Sequence, residues 1–215
     1  MTIQYYGDFC FKITSKPEGR ATEEVVMWTD PLPKGAGLRS PQGEADIVLL
    51  SHGESVAYGE KTTLLDMPGE FTARGITVSG YNSFTGALES SKKGFNTVFL
   101  FDTEGMQVGY LGSLGHEPEP EVLDRFSGIE ILFVPVDSED GWDVKTALSV
   151  IKKIEPKIIV PMHFSQNGLT LKGLSSEKAL IEALATPVER VTKWNVKSKD
   201  IEGDMMKVVL FERGS

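Results

Sequence analysis

A mixed fold of the α/β or α+β class, with helices packed outside sheets, is predicted by three features of the sequence. Short alternating or apolar runs punctuated by Gly and Pro fill the first half. Strand-like and helix-like patterns alternate through the last third. Continuous apolar runs, Ile47 to Leu50 and Ile158 to Val160, read as strands covered on both faces.

Along the chain, Ile3 to Tyr6 and Phe9 to Ile13 alternate in the strand manner around Gly7. Glu24 to Thr29 is a further strand, closed by Asp30-Pro31. Pro33 to Gly43 is a Pro- and Gly-rich surface loop. Ile47 to Leu50 follows as a buried strand. β-Hairpins are expected next: Thr63 to Leu65 leads into Met67 to Phe71, and glycines bracket Gly75 to Gly80. Asn96 to Phe101 and Met106 to Tyr110 are joined by Asp102-Thr103-Glu104-Gly105, whose glycine supplies a positive φ. Pro118 to Phe126 reads as a short helix and Glu130 to Pro135 as a strand. Val144, Leu148 and Ile151 carry helical spacing through Val144 to Ile154, which Pro156 ends. Lys157 to Pro161 is a buried strand, Ser175 to Leu184 a helix, and Met205 to Phe211 a closing strand. The 215 residues fit one domain with a sizeable core.

Composition narrows the function classes. Hydrophobic residues make up 40% and charged residues 25%, as in soluble globular proteins. The net charge of −9 repels phosphate backbones and anionic membranes, so neither nucleic acid nor a membrane is an expected partner. The densest basic stretches, Lys92-Lys93 and Lys152-Lys153, are solvated pairs. No run approaches the length of a membrane span, and the N-terminus has no charged-then-apolar signal pattern. The single cysteine, Cys10, excludes an intrachain disulfide and favours the cytoplasm; its place in Phe9-Cys10-Phe11 makes it a small core residue.

The segment with most chemical content follows the apolar run at Ile47: Ser51-His52-Gly53-Glu54-Ser55-Val56-Ala57. A loop at a strand end that begins His-x-acid is a way to present metal ligands. An intact set would read His-x-His-x-Asp-His, and here only the first His stands.

Further segments join it in order: Gly7 to Phe11, Thr29-Asp30-Pro31, Asp46 to Gly53, Pro68 to Phe71, Ser83-Phe84-Thr85, Lys93 to Thr97, Leu111 to His116 and Pro156 to Phe164. Together they resemble the metallo-β-lactamase superfamily, in particular its small lactonase-like branch of Zn-dependent hydrolases. The resemblance implies a four-layer αββα sandwich with a pair of zinc ions in a groove at the sheet edges. There a metal-acidified water attacks an ester, lactone or amide carbonyl. Carried over by position, His52 matches the first ligand and His163 the last. Glu54 stands at a second His, Val56 at an Asp, Ala57 and Thr85 at further His ligands, and Ser113 at the bridging Asp. Asp8 stands where the branch commonly has His. Val56 and Ala57 have no donor atoms, and neutral hydroxyls at Thr85 and Ser113 bind zinc poorly. Without an anion at 113 nothing bridges two cations, so a dinuclear centre is not expected.

Two functional readings follow. One is a pseudoenzyme: a weak or non-catalytic homologue that binds a small molecule or a partner protein. The other is a hydrolase of a small ester or lactone with one divalent metal, zinc first, on His52, Glu54 and His163, helped by His116. In that reading Glu54 can instead be the general base. Asp30, Asp46 and Glu70 read as turn or strand-start carboxylates and Tyr110 as a space-filling phenol. A Ser113–His116 pair lacks, from spacing alone, the geometry of a nucleophile and its base. Homo-oligomerisation through sheet edges stays open.

Overall fold

Two mixed sheets carry the apolar alternation. The computed structural model describes residues 1–17, 23–53, 58–86, 94–137, 141–201, 203 and 205–212. Numbered along the chain, β1 (Thr2–Gly7), β2 (Cys10–Ser15), β3 (Val25–Thr29), β4 (Ile47–Leu49), β5 (Thr63–Leu65) and β13 (Lys193–Asn195) form one sheet in the order β13-β1-β2-β3-β4-β5. The second sheet takes β6 (Gly69–Ala73), β7 (Ile76–Phe84), β8 (Phe95–Thr103), β9 (Met106–Tyr110), β10 (Ile131–Pro135), β11 (Ile158–Met162), β12 (Val188–Val191) and β14 (Lys207–Phe211). Its order is β12-β14-β11-β10-β9-β8-β7-β6.

The sheets face each other over one apolar cluster, to which Ile3, Phe11, Met27, Ile47 and Leu49 contribute from the first sheet. Phe99, Phe101, Val108, Phe133 and Val160 contribute from the second. Strand alternation turns Val26, Trp28, Val48 and Leu64 to the other face of the first sheet, where they pack with Ala45 and Tyr58. Among the described residues the α-helices are α1 (Pro120–Phe126), α2 (Val144–Ile154) and α3 (Lys178–Leu184), all of them crossovers within the second sheet. This is the sandwich architecture that the sequence leads one to expect. None of these helices is long and apolar enough to cross a membrane.

Local chemistry explains where elements stop. Asp143 caps α2 by accepting the Thr146 N–H at 2.7 Å, and Glu155 ends it in the left-handed region. The turn between β8 and β9 takes positive φ at both Glu104 and Gly105, the requirement of a tight two-residue hairpin.

The structure corrects three sequence expectations and adds two strands. Thr63–Leu65 and Gly69–Ala73 do not pair as a hairpin; β5 closes the first sheet and β6 opens the second. Gly80 does not bound a strand. β7 runs through it, because a Cβ there would lie 2.9 Å from the Met67 carbonyl oxygen and 3.0 Å from Thr97 Cγ2. Helix α3 starts at Lys178, three residues after Ser175, whose N–H is held by Asp137 Oδ2 at 2.7 Å. Pairing with β14 and β1 makes strands of Val188–Val191 and Lys193–Asn195, which carry mostly exposed residues and no apolar run.

Strand direction then fixes where chemistry can gather. β3 and β4 are parallel neighbours, as are β9, β10 and β11. Their C-terminal ends deliver Asp30, Ser51-His52, Leu111 to Ser113 and His163. The β1–β2 turn, Asp8-Phe9, lies at the same edge, because β2 runs antiparallel to both β1 and β3. Ligands of open α/β sheets gather at such carboxyl ends.

Candidate functional site

Backbone strain marks this edge. Seven described non-glycine residues have positive φ. Glu155 and Ala185 cap helices, and Arg74 and Glu104 sit in hairpin turns. The other three, Asp8 (φ 58°), Asp30 (φ 33°) and His163 (φ 52°), all belong to the groove edge. Non-glycine residues persist there only where surrounding contacts over-determine them.

Those contacts are specific. The buried Asp30 receives the Ser51 N–H at 2.7 Å on Oδ1, and on Oδ2 the Ser51 hydroxyl at 2.6 Å and the Tyr110 hydroxyl at 2.5 Å. Ser51 Oγ lies 2.8 Å from His52 Nδ1, which is 3.7 Å from Asp30 Oδ2. With the serine proton directed to the carboxylate, Nδ1–H of His52 donates to Ser51 and Nε2 keeps the lone pair. Burial pushes the Asp30 carboxyl above its ordinary value, outweighing His52 and the three donors that pull it down. Burial, reinforced by the Asp30 charge, holds the Tyr110 phenol well above its usual range, so it stays a donor.

The β1–β2 turn is fastened just as firmly. Asp8 Oδ1 lies 2.5 Å from His163 Nδ1, the His163 N–H donates to the Asp8 carbonyl at 3.0 Å, and the Tyr5 hydroxyl donates to that carbonyl at 2.8 Å. Phe9 O accepts from Thr29 Oγ1 at 2.8 Å and lies 2.9 Å from the Tyr110 hydroxyl. The Phe9 ring stacks on His163 with centroids 4.2 Å apart and an 11° interplanar angle, and meets His52 edge-on at 5.0 Å. Phe9 is 3% and His163 7% exposed, whereas the His52 side chain is 29% exposed.

A third network holds the loop after β9. Fully buried Asn96 accepts the Ser113 N–H at 3.0 Å and donates to Ser83 Oγ at 2.7 Å and the Leu111 carbonyl at 3.0 Å. Gly112, at φ 59°, passes so close to Ser51 that a Cβ would stand 2.3 Å from its Oγ. The Thr97 N–H donates to the Ser51 carbonyl at 2.8 Å, tying the two sheets together at this edge.

Of the candidate ligands, His52 and His163 therefore converge on one phenyl ring. His116 points its Nδ1 at the Glu117 carbonyl, 2.7 Å away, and its Nε2 is buried with no partner. It packs at 6.0 Å from Phe84, in another part of the edge. Glu54, Val56 and Ala57 lie outside the described residues. Cys10 is fully buried, and burial raises its thiol far above the usual range, which suits a core residue.

A family model described as the β-lactamase superfamily domain matches residues 2–163. The chain belongs to that superfamily. Among its relatives, a UPF0173 metal-dependent hydrolase of Pelotomaculum thermopropionicum is 23% identical over 204 residues, covering 78% of this chain and 88% of its own length. A crystal structure from Thermotoga maritima, assigned to the Zn-dependent hydrolases of the metallo-β-lactamase superfamily, is similar with a TM-score of 0.77 and 27% identity over 99% of each chain. A metallo hydrolase of Ignicoccus hospitalis shares the fold with a TM-score of 0.59 at 15% identity, over 100% of this chain and 96% of its own.

Metal-dependent hydrolase relatives imply a divalent cation. Among the described residues, the donor set does not fit the superfamily's pair of ions. Thr85 and Ser113 bring hydroxyls where the superfamily resemblance calls for an imidazole and a carboxylate. No group of three or more His, Cys, Asp or Glu side chains among the described residues could hold a metal. Asp8 and Asp30 spend their carboxylates on His163, Ser51 and Tyr110. Sequence reading undervalued Asp30, Phe9, Tyr110, Ser51 and Asn96. For Asp30, Ser51 and Tyr110 the available signal was their common place at the carboxyl ends of parallel strands, and for Phe9 the turn beside them; Asn96, near the start of the antiparallel β8, carried no such signal.

Proposed function

We propose that this protein is a metallo-β-lactamase-fold member that has given up dinuclear zinc hydrolysis and acts as a non-catalytic binder of a small molecule or partner protein. The observation that carries the reading is Phe9, packed against both His52 and His163, the two histidines at retained ligand positions. A metal-bound imidazole nitrogen sits about 2.0–2.1 Å from zinc in an opening shared with other donors. Here His163 is buried, with the Phe9 ring stacked on its face. The negative net charge argues against nucleic acid as the occupant, and the reduced Cys10 suits the cytoplasm.

The test is calorimetric. A cation bound only by the folded state raises the melting temperature by mass action. Melting curves that coincide in chelator and in excess zinc support the reading. A large zinc-dependent rise that disappears in both His52→Ala and His163→Ala overturns it.

One observation favours a second reading, a mononuclear hydrolase of a small ester or lactone using zinc on His52, Glu54 and His163. Both histidines engage Nδ1 with a carboxylate, directly at Asp8 or through Ser51 at Asp30, and keep Nε2 for another partner. Metal-holding histidines are commonly oriented in this way. Zinc-dependent ester or lactone turnover that is lost in His52→Ala would establish this second reading.

A further inference from the structure

The β1–β2 turn does more than connect two strands. Its backbone is fastened from both sheets, by Thr29 of β3 at the Phe9 carbonyl and by the His163 amide that follows β11 at the Asp8 carbonyl. Its two side chains then divide one imidazole between them: the Asp8 carboxylate takes Nδ1 of His163 and the Phe9 ring covers its face. Asp8 and His163 both hold left-handed backbone to do so, at φ 58° and 52°. Such conformations are unfavourable for non-glycine residues and survive only where contacts enforce them.

We propose that Asp8-Phe9 is a built-in plug, a turn of this chain's own that covers His163 and holds the two sheets together there without a metal. The inference rests on the non-catalytic reading above and adds to it the residues responsible. The closure is one-sided. His52, on the neighbouring loop, touches the plug only through the edge of Phe9 and remains the more exposed imidazole. The groove therefore presents one accessible histidine and one sealed histidine, and a ligand that reaches His163 must displace the turn.

Histidine labelling with diethyl pyrocarbonate, resolved by residue with mass spectrometry on the full chain in chelator, tests this directly. His52 serves as the internal reference. Wild-type His163 is expected to react at least about tenfold more slowly than His52, because a sealed group waits for local opening. Phe9→Ala is expected to remove most of that protection. Asp8→Asn, which keeps shape and removes the charge, is expected to reduce it and to lower the melting temperature in chelator. Should Phe9→Ala fail to fold, Phe9→Leu tests the same ring with less loss of volume. Equal labelling of His163 and His52 in the wild type overturns the plug, as does unchanged protection in both Asp8→Asn and a folded Phe9 variant. Zinc content, measured separately, reports on the non-catalytic reading, so the two ideas can fail independently.

Discussion

Tyr110 and Asp30 meet across the gap between the two sheets, the phenol at the end of β9 donating at 2.5 Å to the carboxylate that follows β3. The same carboxylate holds Ser51, and Ser51 holds His52. One buried acid thus sets the orientation of the more accessible imidazole from the end of the neighbouring strand. A sandwich edge is otherwise a place where loops diverge, and this contact keeps three of them in register.

Tyr110→Phe removes that donor and leaves the cavity filled. Asp30 keeps its two bonds from Ser51, so the cost is that of one hydrogen bond to a charged group, about 1.5–3 kcal/mol. The expected outcome is a lower urea midpoint with an unchanged denaturant slope, read by circular dichroism.

Asp30 also gives a pH signature. Its folded-state carboxyl lies above the ordinary value of 3.8 because burial dominates. A raised acid means that the native state binds more protons than the unfolded one. Its contribution to stability is therefore greatest below 3.8 and is lost as pH rises through the folded value. Asp30→Asn lacks this term. The melting-temperature difference between Asp30→Asn and wild type should shift in the variant's favour as pH is raised from about 4 towards 7. A difference that stays flat, or moves in the wild type's favour, contradicts the assignment.

Asn96→Leu probes the loop after β9. The substitution strips the partner from the Ser113 amide and the Leu111 carbonyl, while Ser83 Oγ loses one bond and keeps the one it donates to the Asn96 carbonyl at 3.0 Å. With roughly 1 kcal/mol or more for each of the two orphaned groups, a loss of about 2 kcal/mol or more is expected in chemical denaturation. Amide exchange at Ser113 should accelerate more than exchange at core strands such as β10.

Gly112→Ala and Gly115→Ala separate two kinds of close approach. At Gly112 the added methyl meets Ser51 Oγ at 2.3 Å and also inherits φ 59°. At Gly115 it meets the Thr85 carbonyl oxygen at 2.2 Å. Overpacking of this kind costs roughly 1–3 kcal/mol. Gly112→Ala alone should also disturb the Ser51–His52 contact, visible as a changed His52 imidazole resonance.

Much of the fold was legible in the sequence because it rests on periodicity. The alternation from Phe9 to Ile13, the apolar run at Ile47 and the helical spacing of Val144, Leu148 and Ile151 all record which faces are buried. Strands without an apolar face were not legible. Val188–Val191 and Lys193–Asn195 exist through pairing with distant neighbours. Gly80 misled for a related reason: inside a strand a glycine records close approach as well as a turn. At the site, motif order singled out His52 and His163, which the fold brings against one ring. Asp30, Phe9 and Tyr110 could not be weighed in that way. Their importance comes from contacts across the two sheets, between residues 80 or more apart in the case of Asp30 and Tyr110.

On the proposed reading the site between His52 and His163 no longer holds the superfamily's pair of metal ions. Elemental analysis of the untagged protein, expressed with zinc supplied and desalted without chelator, puts this to the test. No stoichiometric zinc is expected, and the same trace content in wild type, His52→Ala and His163→Ala. About two equivalents of zinc per chain, lost in either histidine variant, is the signature of an intact two-metal hydrolase and would contradict it.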